Sequence, residues 1–172
     1  MSRAFTKDEA PEDPIVVPPR APLPAGVPNY VTPRGDCLLR EERAELDAER
    51  SRLGAASDME ETERKRQLAA AVERIANLRE RLARTQVVDP SRQSGEVVRF
   101  GAYVVLSASD GSERRFQIVG VDEAEPEAGR VAFTSPIARA VSGTGVGDVA
   151  VLRTASGEEQ LVVHAIRYGE EA

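Results

Sequence analysis

Five apolar residues, Leu68, Ala71, Ile75, Leu78 and Leu82, follow one another at spacings of three, four, three and four. That spacing lays them on one stripe of an α-helix, the a/d seam of a coiled coil. Upstream, Leu39, Leu46 and Leu53 repeat seven apart, with charged residues at most positions between them. A stripe this thin does not hold a lone helix in water, because packing rather than propensity supplies most helical stability. Two such stripes joined by a short connection cover each other. The pattern therefore predicts an antiparallel helical hairpin over residues 31–89, and the rest of the chain is read around it.

The hairpin's ends carry chemical marks. Thr32-Pro33 sets an N-cap hydroxyl before a proline at the first helical position, where a missing N–H costs nothing. Gly54 suits a left-handed residue closing the first arm. Ser57-Asp58-Met59-Glu60 fits a capping box opening the second. The expected turn is Gly54 to Ser57, within a tip spanning residues 54–61. It displays Asp58, Glu60, Glu61 and Glu63, and the arms extend roughly 30 to 40 Å at the helical rise.

Residues 1–30 are rich in proline and acid, and such a stretch buries too little apolar surface to offset the entropy of ordering. An extended, largely disordered tail is expected, with Phe5 and Ile15-Val16-Val17 as its one candidate docking segment. Pro90 forbids further helix, and residues 90–95 read as a linker. From Glu96 the period becomes strand-like. Val97 to Leu106 forms one run with Gly101 inside it. Asp110-Gly111 turns the chain into a partner strand from Arg114 to Val119. Asp122 to Gly129 reads as an acidic loop, Arg130 to Thr134 as a short strand, and Ser135-Pro136 opens a small helix. Val149 to Arg153 and Gln160 to Ile166 make a last hairpin. The fold class is therefore α+β: a helical hairpin, then an antiparallel sheet domain with one short helix over residues 96–172.

The net charge of −6 over 172 residues argues against a chain built to grip duplex DNA. The single cysteine, Cys37, excludes an internal disulfide and fits a reducing compartment. No apolar run approaches the ~20 residues that span a membrane, and no signal-peptide core is present at the N-terminus. A cytoplasmic monomer is expected. No enzyme constellation emerges. His164, the only histidine, reads as a half-buried strand position. Gly143 to Gly147 lacks the lysine and the strand–loop–helix context of a phosphate-binding loop, so it reads as a turn. The tip acids Asp58, Glu60 and Glu61 admit two readings: stabilisation by the helix dipole, or a share in a hard cation such as Mg²⁺ held with another macromolecule. Arg64-Lys65-Arg66 is either a basic patch for a nucleic-acid backbone or a solvated helix face.

A helical hairpin followed by Val98-Arg99-Phe100-Gly101-Ala102, Phe116-Gln117-Ile118-Val119-Gly120, Ser135-Pro136-Ile137-Ala138-Arg139-Ala140 and Val146-Gly147-Asp148 resembles the Gre family of bacterial transcript-cleavage factors. Ala4-Phe5-Thr6-Lys7 and Asn29-Tyr30-Val31-Thr32-Pro33-Arg34-Gly35 resemble the start of its GreB-type members. The resemblance implies an FKBP-like C-terminal domain docking on the rim of the secondary channel of bacterial RNA polymerase through Thr134, Ser135, Pro136 and Arg139. It implies a hairpin entering that channel, with Asp58, Glu60 and Glu61 toward a Mg²⁺ shared with the polymerase. Arg64, Lys65 and Arg66 would then face the nascent RNA 3′ end. It implies no enzyme activity, stably bound metal or cofactor of its own. The tip departs from the family signature: Asp58-Met59-Glu60-Glu61 keeps an acid-x-x-acid spacing without the family's glycine, asparagine and aromatic. The hairpin is also about a dozen residues shorter than the family's, which shortens its reach by roughly 9 Å. A non-cleaving occupant of the channel is thus a parallel expectation. An FKBP-like isomerase module and a coiled-coil adaptor are the rivals from other classes.

Overall fold

The computed structural model describes residues 14–155 and 157–169. Helix α1 (Pro33–Ala55) and helix α2 (Glu61–Ala83) form the expected hairpin. Thr32 caps α1 as its sequence position predicts, its Oγ1 accepting from the Gly35 N–H at 3.2 Å. Leu39 and Leu46 pack with Ile75 and Leu78 in one buried cluster, and Leu53 and Ala71 are buried as well. Leu68, toward the tip, and Leu82, toward the root, are only partly buried. Arg74 reaches across the arms to Glu49 at 2.6 Å, a partly exposed pair that guides register more than it stabilises.

The turn differs from its expected form. Gly54 stays within α1, with no positive φ, and residues 56–60 make the connection. Glu60, not Ser57, caps α2: its carboxylate accepts from the Glu63 N–H at 2.8 Å. The reason is packing. A helix starting at Asp58 would project a further turn beyond Leu53, the last buried residue of α1, with no apolar partner to cover it.

The hairpin's root is closed by a parallel pair of short strands, β1 (Asn29–Val31) and β2 (Thr85–Val87). Neither is legible in the sequence, because three residues show no alternation. They meet only once the two helices have brought their ends together. Val88 N–H donates to the Val31 carbonyl at 2.8 Å, extending the closure.

The C-terminal domain is a five-stranded sheet in the order β5-β4-β3-β7-β6. Its strands are β3 (Tyr103–Ala108), β4 (Glu113–Val119), β5 (Arg130–Ala132), β6 (Val149–Thr154) and β7 (Gly157–Arg167). All neighbours are antiparallel except β4 and β5, which run parallel, a correction to the all-antiparallel sheet expected. The acidic loop carries the chain back along β4 before β5 begins, and a three-residue strand gives no sign of its direction. Helix α3 (Pro136–Val141) starts where predicted, capped by the Ser135 hydroxyl, and its Ala138 and Val141 enter the core with Val104, Leu106, Phe116, Leu152 and Leu161.

Two strand readings are also corrected. The first strand begins at Tyr103 rather than Val97, because Gly101 adopts φ +87° in the turn before it. A Cβ there would come within 2.8 Å of the Pro90 ring. Gly101→Ala should therefore cost about 1 to 3 kcal/mol, through left-handed strain and contact with Pro90 together, read as a shift in the urea midpoint at unchanged slope. His164 is exposed rather than half-buried. It falls at the irregularity where Val105 pairs with Ala165 and Leu106 with Val163. Its ring lies on the outer face, with Nε2 2.7 Å from Ser107 Oγ.

Residues 14–28 form no helix or strand, as their prolines predict, yet they are not detached: Arg20 pairs with Glu42 of α1 at 2.8 Å. The Phe5 and Ala4–Lys7 readings lie outside the described residues. Among those described, no helix is long and apolar enough to cross a membrane.

Candidate functional site

At the tip the three acids have separate fates. Glu60 is consumed by the cap, and the Thr62 and Glu63 N–H groups hold its carboxyl below the usual carboxylate range. Glu61 pairs with Lys65 at 2.6 Å, and that hydrogen bond lowers its pKa as well. Asp58 lies before the helix, exposed, with no hydrogen-bond or ion-pair partner among the described residues. The dipole reading thus fits Glu61 and Glu63 but not Asp58, which stands outside the first turn. No cluster of three or more His, Cys, Asp or Glu side chains among the described residues is arranged to hold a metal ion.

These shifts have a consequence for pH. Glu60, Glu61 and Glu63 all have folded-state pKa values below their ordinary ones, Glu63 through Gln67 and then Arg66. Such groups stabilise the first turn of α2 above the ordinary glutamate range and stop doing so as pH falls through the lower, folded values. Protection factors of the amides in residues 61–66, referenced to intrinsic exchange at each pH, should fall on acidification before those of residues 75–82, with full recovery on return to neutral pH.

The basic cluster does not form one face. Arg64, Lys65 and Arg66 are successive helical positions about 100° apart, and Lys65 and Arg66 are paired with Glu61 and Glu63 at 2.6 and 2.8 Å. Both pairs are partly or largely exposed, and they order the first turns of α2.

Around α3 the sequence-named residues do converge. Thr134 and Arg139 line a half-open, mainly apolar groove of about 360 Å³. Its floor holds Ile118, Ala138 and the ring cluster of Tyr30, Phe100 and Phe133, whose centroids lie 5.8 to 5.9 Å apart. Ser135 and Pro136 form the corner beside the groove. The Ser135 hydroxyl accepts from the Ala138 N–H at 3.3 Å, which leaves Pro136 as the exposed residue of the pair. Arg99 and Arg139, both exposed, supply cationic rims with no carboxylate partner among the described residues.

What sequence reading missed is the joint between the hairpin and this domain. Glu123, in the loop expected to be merely acidic, is 4% exposed. Its Oε1 accepts from the Thr32 N–H at 3.0 Å and the Gly120 N–H at 2.9 Å, and its Oε2 from the Thr32 hydroxyl at 2.6 Å. A buried carboxylate is thus set at the N-terminus of α1, where the helix dipole favours it. Gly35 makes the approach possible, since a Cβ there would meet the carboxyl at 2.7 Å. Beside it, Asp122 accepts from Asn29 Nδ2 at 3.2 Å and from Arg20 at 3.3 Å, and faces Arg81 Nε at 3.5 Å. Tyr30 of β1, packed between Phe100 and Phe133, ties the same junction from its apolar side. The hairpin and the groove are one assembly.

The comparisons with known proteins bear on the domain that contributes most of the groove. Residues 93–168 match the family described as transcription elongation factor, GreA/GreB, C-term. The chain is 51% identical over 84 residues to the transcription elongation factor GreA of Phenylobacterium zucineum (strain HLK1), covering 48% of this chain and 54% of that one. It is 42% identical over 97 residues to that of Chelativorans sp. (strain BNC1), covering 56% and 62%. It therefore spans between half and two thirds of the length of these relatives. The crystal structure of the GreA factor homolog 1 protein of Thermus thermophilus shares 28% identity over 80% of this chain and 97% of that one, at a TM-score of 0.38. The matched residues take in β3 to β7, α3 and the Glu123 loop. Residues 93–168 thus match the C-terminal domain of the GreA/GreB transcription elongation factors, and the curated relatives aligned with this chain carry the name GreA.

Proposed function

We propose that this chain is a Gre-type elongation factor of the bacterial cytoplasm, acting as a monomer. Its C-terminal domain docks on the rim of the RNA polymerase secondary channel while the hairpin enters toward the RNA 3′ end. The observation that carries this reading is the groove beside α3. It is apolar at its floor and cationic at its rim, most of its lining falls in the family-matched residues, and Glu123 of the same domain hydrogen-bonds to Thr32 at the hairpin's root. A partner presenting an apolar side chain flanked by acidic groups would satisfy both the floor and the unpaired Arg99 and Arg139. Arg139→Glu should weaken binding to purified core polymerase at least about tenfold, consistent with the penalty of juxtaposed like charges. Undiminished binding would remove α3 from the interface.

In this reading any RNA cleavage is performed by the polymerase's own active site. The tip favours a second, narrower reading, that of a channel occupant that does not stimulate cleavage. Glu60 is tied to the cap and Glu61 to Lys65, so only Asp58 is left to approach a shared Mg²⁺. The GreB-type likeness of residues 29–35 belongs to this proposal too. A stalled, backtracked elongation complex tests both readings. Cleavage accelerated by the chain and lost in Asp58→Ala/Glu61→Ala supports a cleavage factor. Competition with an authentic cleavage factor, without cleavage, supports the occupant.

A further inference from the structure

The proline-rich segment before the hairpin is bound to it at points that a loose leader would not make. The Arg20 fork donates to both carboxylate oxygens of Glu42, each at 2.8 Å, and also to Asp122 at 3.3 Å. Arg81, with its side chain 7% exposed, lies beneath the segment. It donates to the Ala21 carbonyl and faces Asp122 at 3.5 Å. Arg84 donates to the Val27 carbonyl at 2.8 Å. Asp122 is thus the point where the segment, α2, β1 and the C-terminal domain meet. Farther along, Pro24 and Val27 form one wall of the groove that holds Phe133 and Arg139.

We propose that residues 19–28 are a strap that holds the hairpin at a fixed angle on the C-terminal domain and completes the docking groove. Its docking half rests on the function proposed above. The prolines suit the task, because a chain with few unfolded conformations loses little entropy when laid down. Arg20 is the positioning residue. A bidentate guanidinium–carboxylate contact fixes direction as well as distance, which a lysine does not reproduce. Partly satisfying the buried Arg81 is the second role: Ala21 gives Nη2 an acceptor and Asp122 faces Nε, while Nη1 has no acceptor among the described residues, so losing the Ala21 contact would leave the guanidinium poorer still.

The test uses the full chain carrying Cys37→Ser, with spin labels at Ser57→Cys on the tip connection and Ser109→Cys on the β3–β4 turn. The unaltered strap should give one narrow tip-to-domain distance distribution. Arg20→Ala should broaden it at least about twofold and weaken polymerase binding about tenfold, or 1.4 kcal/mol, and Arg20→Lys should fall between the two. Val27→Ser should leave the distribution unchanged and weaken binding alone. An unchanged width in Arg20→Ala overturns the strap, and undiminished binding in Val27→Ser overturns its part in the groove. Absence of binding even with the strap intact would overturn the docking half and the proposed function, while the distance measurement still decides the positioning half.

Discussion

Replacing Glu123 with alanine should cost about 3 kcal/mol or more and loosen the hairpin from the sheet domain. The carboxylate satisfies the Thr32 N–H, the Gly120 N–H and the Thr32 hydroxyl. Removing it leaves two amides and a hydroxyl with no acceptor in a buried site, and each unsatisfied buried group costs about 1 to 3 kcal/mol. Water entering the vacated space recovers part of that loss, which is why the sum of the three is not expected. Glu123→Gln should cost less. Its amide oxygen still accepts from an N–H, but its NH₂ faces the Thr32 hydroxyl, which already accepts from Gly35. Urea denaturation followed by far-ultraviolet circular dichroism measures both. Equal stability of Glu123→Ala and the parent chain would show that the joint contributes nothing.

Leu78→Ala should be the most damaging change in the hairpin. Leu78 is fully buried with Val31, Leu39, Leu46 and Ile75 in the cluster between the arms. Truncating a buried leucine typically costs 2 to 5 kcal/mol, the larger values where the surroundings do not collapse into the cavity. Here they cannot follow easily, since the seam is one residue wide and the strand pair at the root holds Val31 in place. A loss of that size is comparable to the whole stability of a small unit. Amides of α1 and α2 should thus lose exchange protection while those of β3 and β7, packed in the separate cluster around Leu106 and Leu161, keep theirs. Uniform loss across both parts would show one cooperative unit instead.

The stretches legible in the sequence were those whose reasons are local. The seam, the Thr32-Pro33 start of α1 and the Ser135-Pro136 start of α3 each follow from side chains within a turn or two of one another. Ser57 and Glu60 show the limit of that logic. Both are able to cap, and the choice fell to where α1 runs out of apolar surface. Glu123 lay beyond it altogether. Its partner Thr32 is 91 residues away, and nothing near it in the chain separates a buried acceptor from an ordinary surface acid. The same holds for β1 and β2, which exist only as the meeting of two chain ends. Of the candidate site, Thr134 and Arg139 were named in advance, whereas the Tyr30 wall of their groove came from an element not foreseen.

The place where α1 is held makes the hairpin a lever. Its fulcrum is the Glu123 carboxylate, and each arm of 23 residues runs about 35 Å at the helical rise. A tilt of about 10° at the root then sweeps the tip through roughly 6 Å, more than any rotamer of Asp58 spans. Where the tip arrives is therefore decided mainly by a few hydrogen bonds at the opposite end of the molecule. Substitutions around Thr32, Gly35 and Glu123 should be felt at the far end before those made at the tip itself.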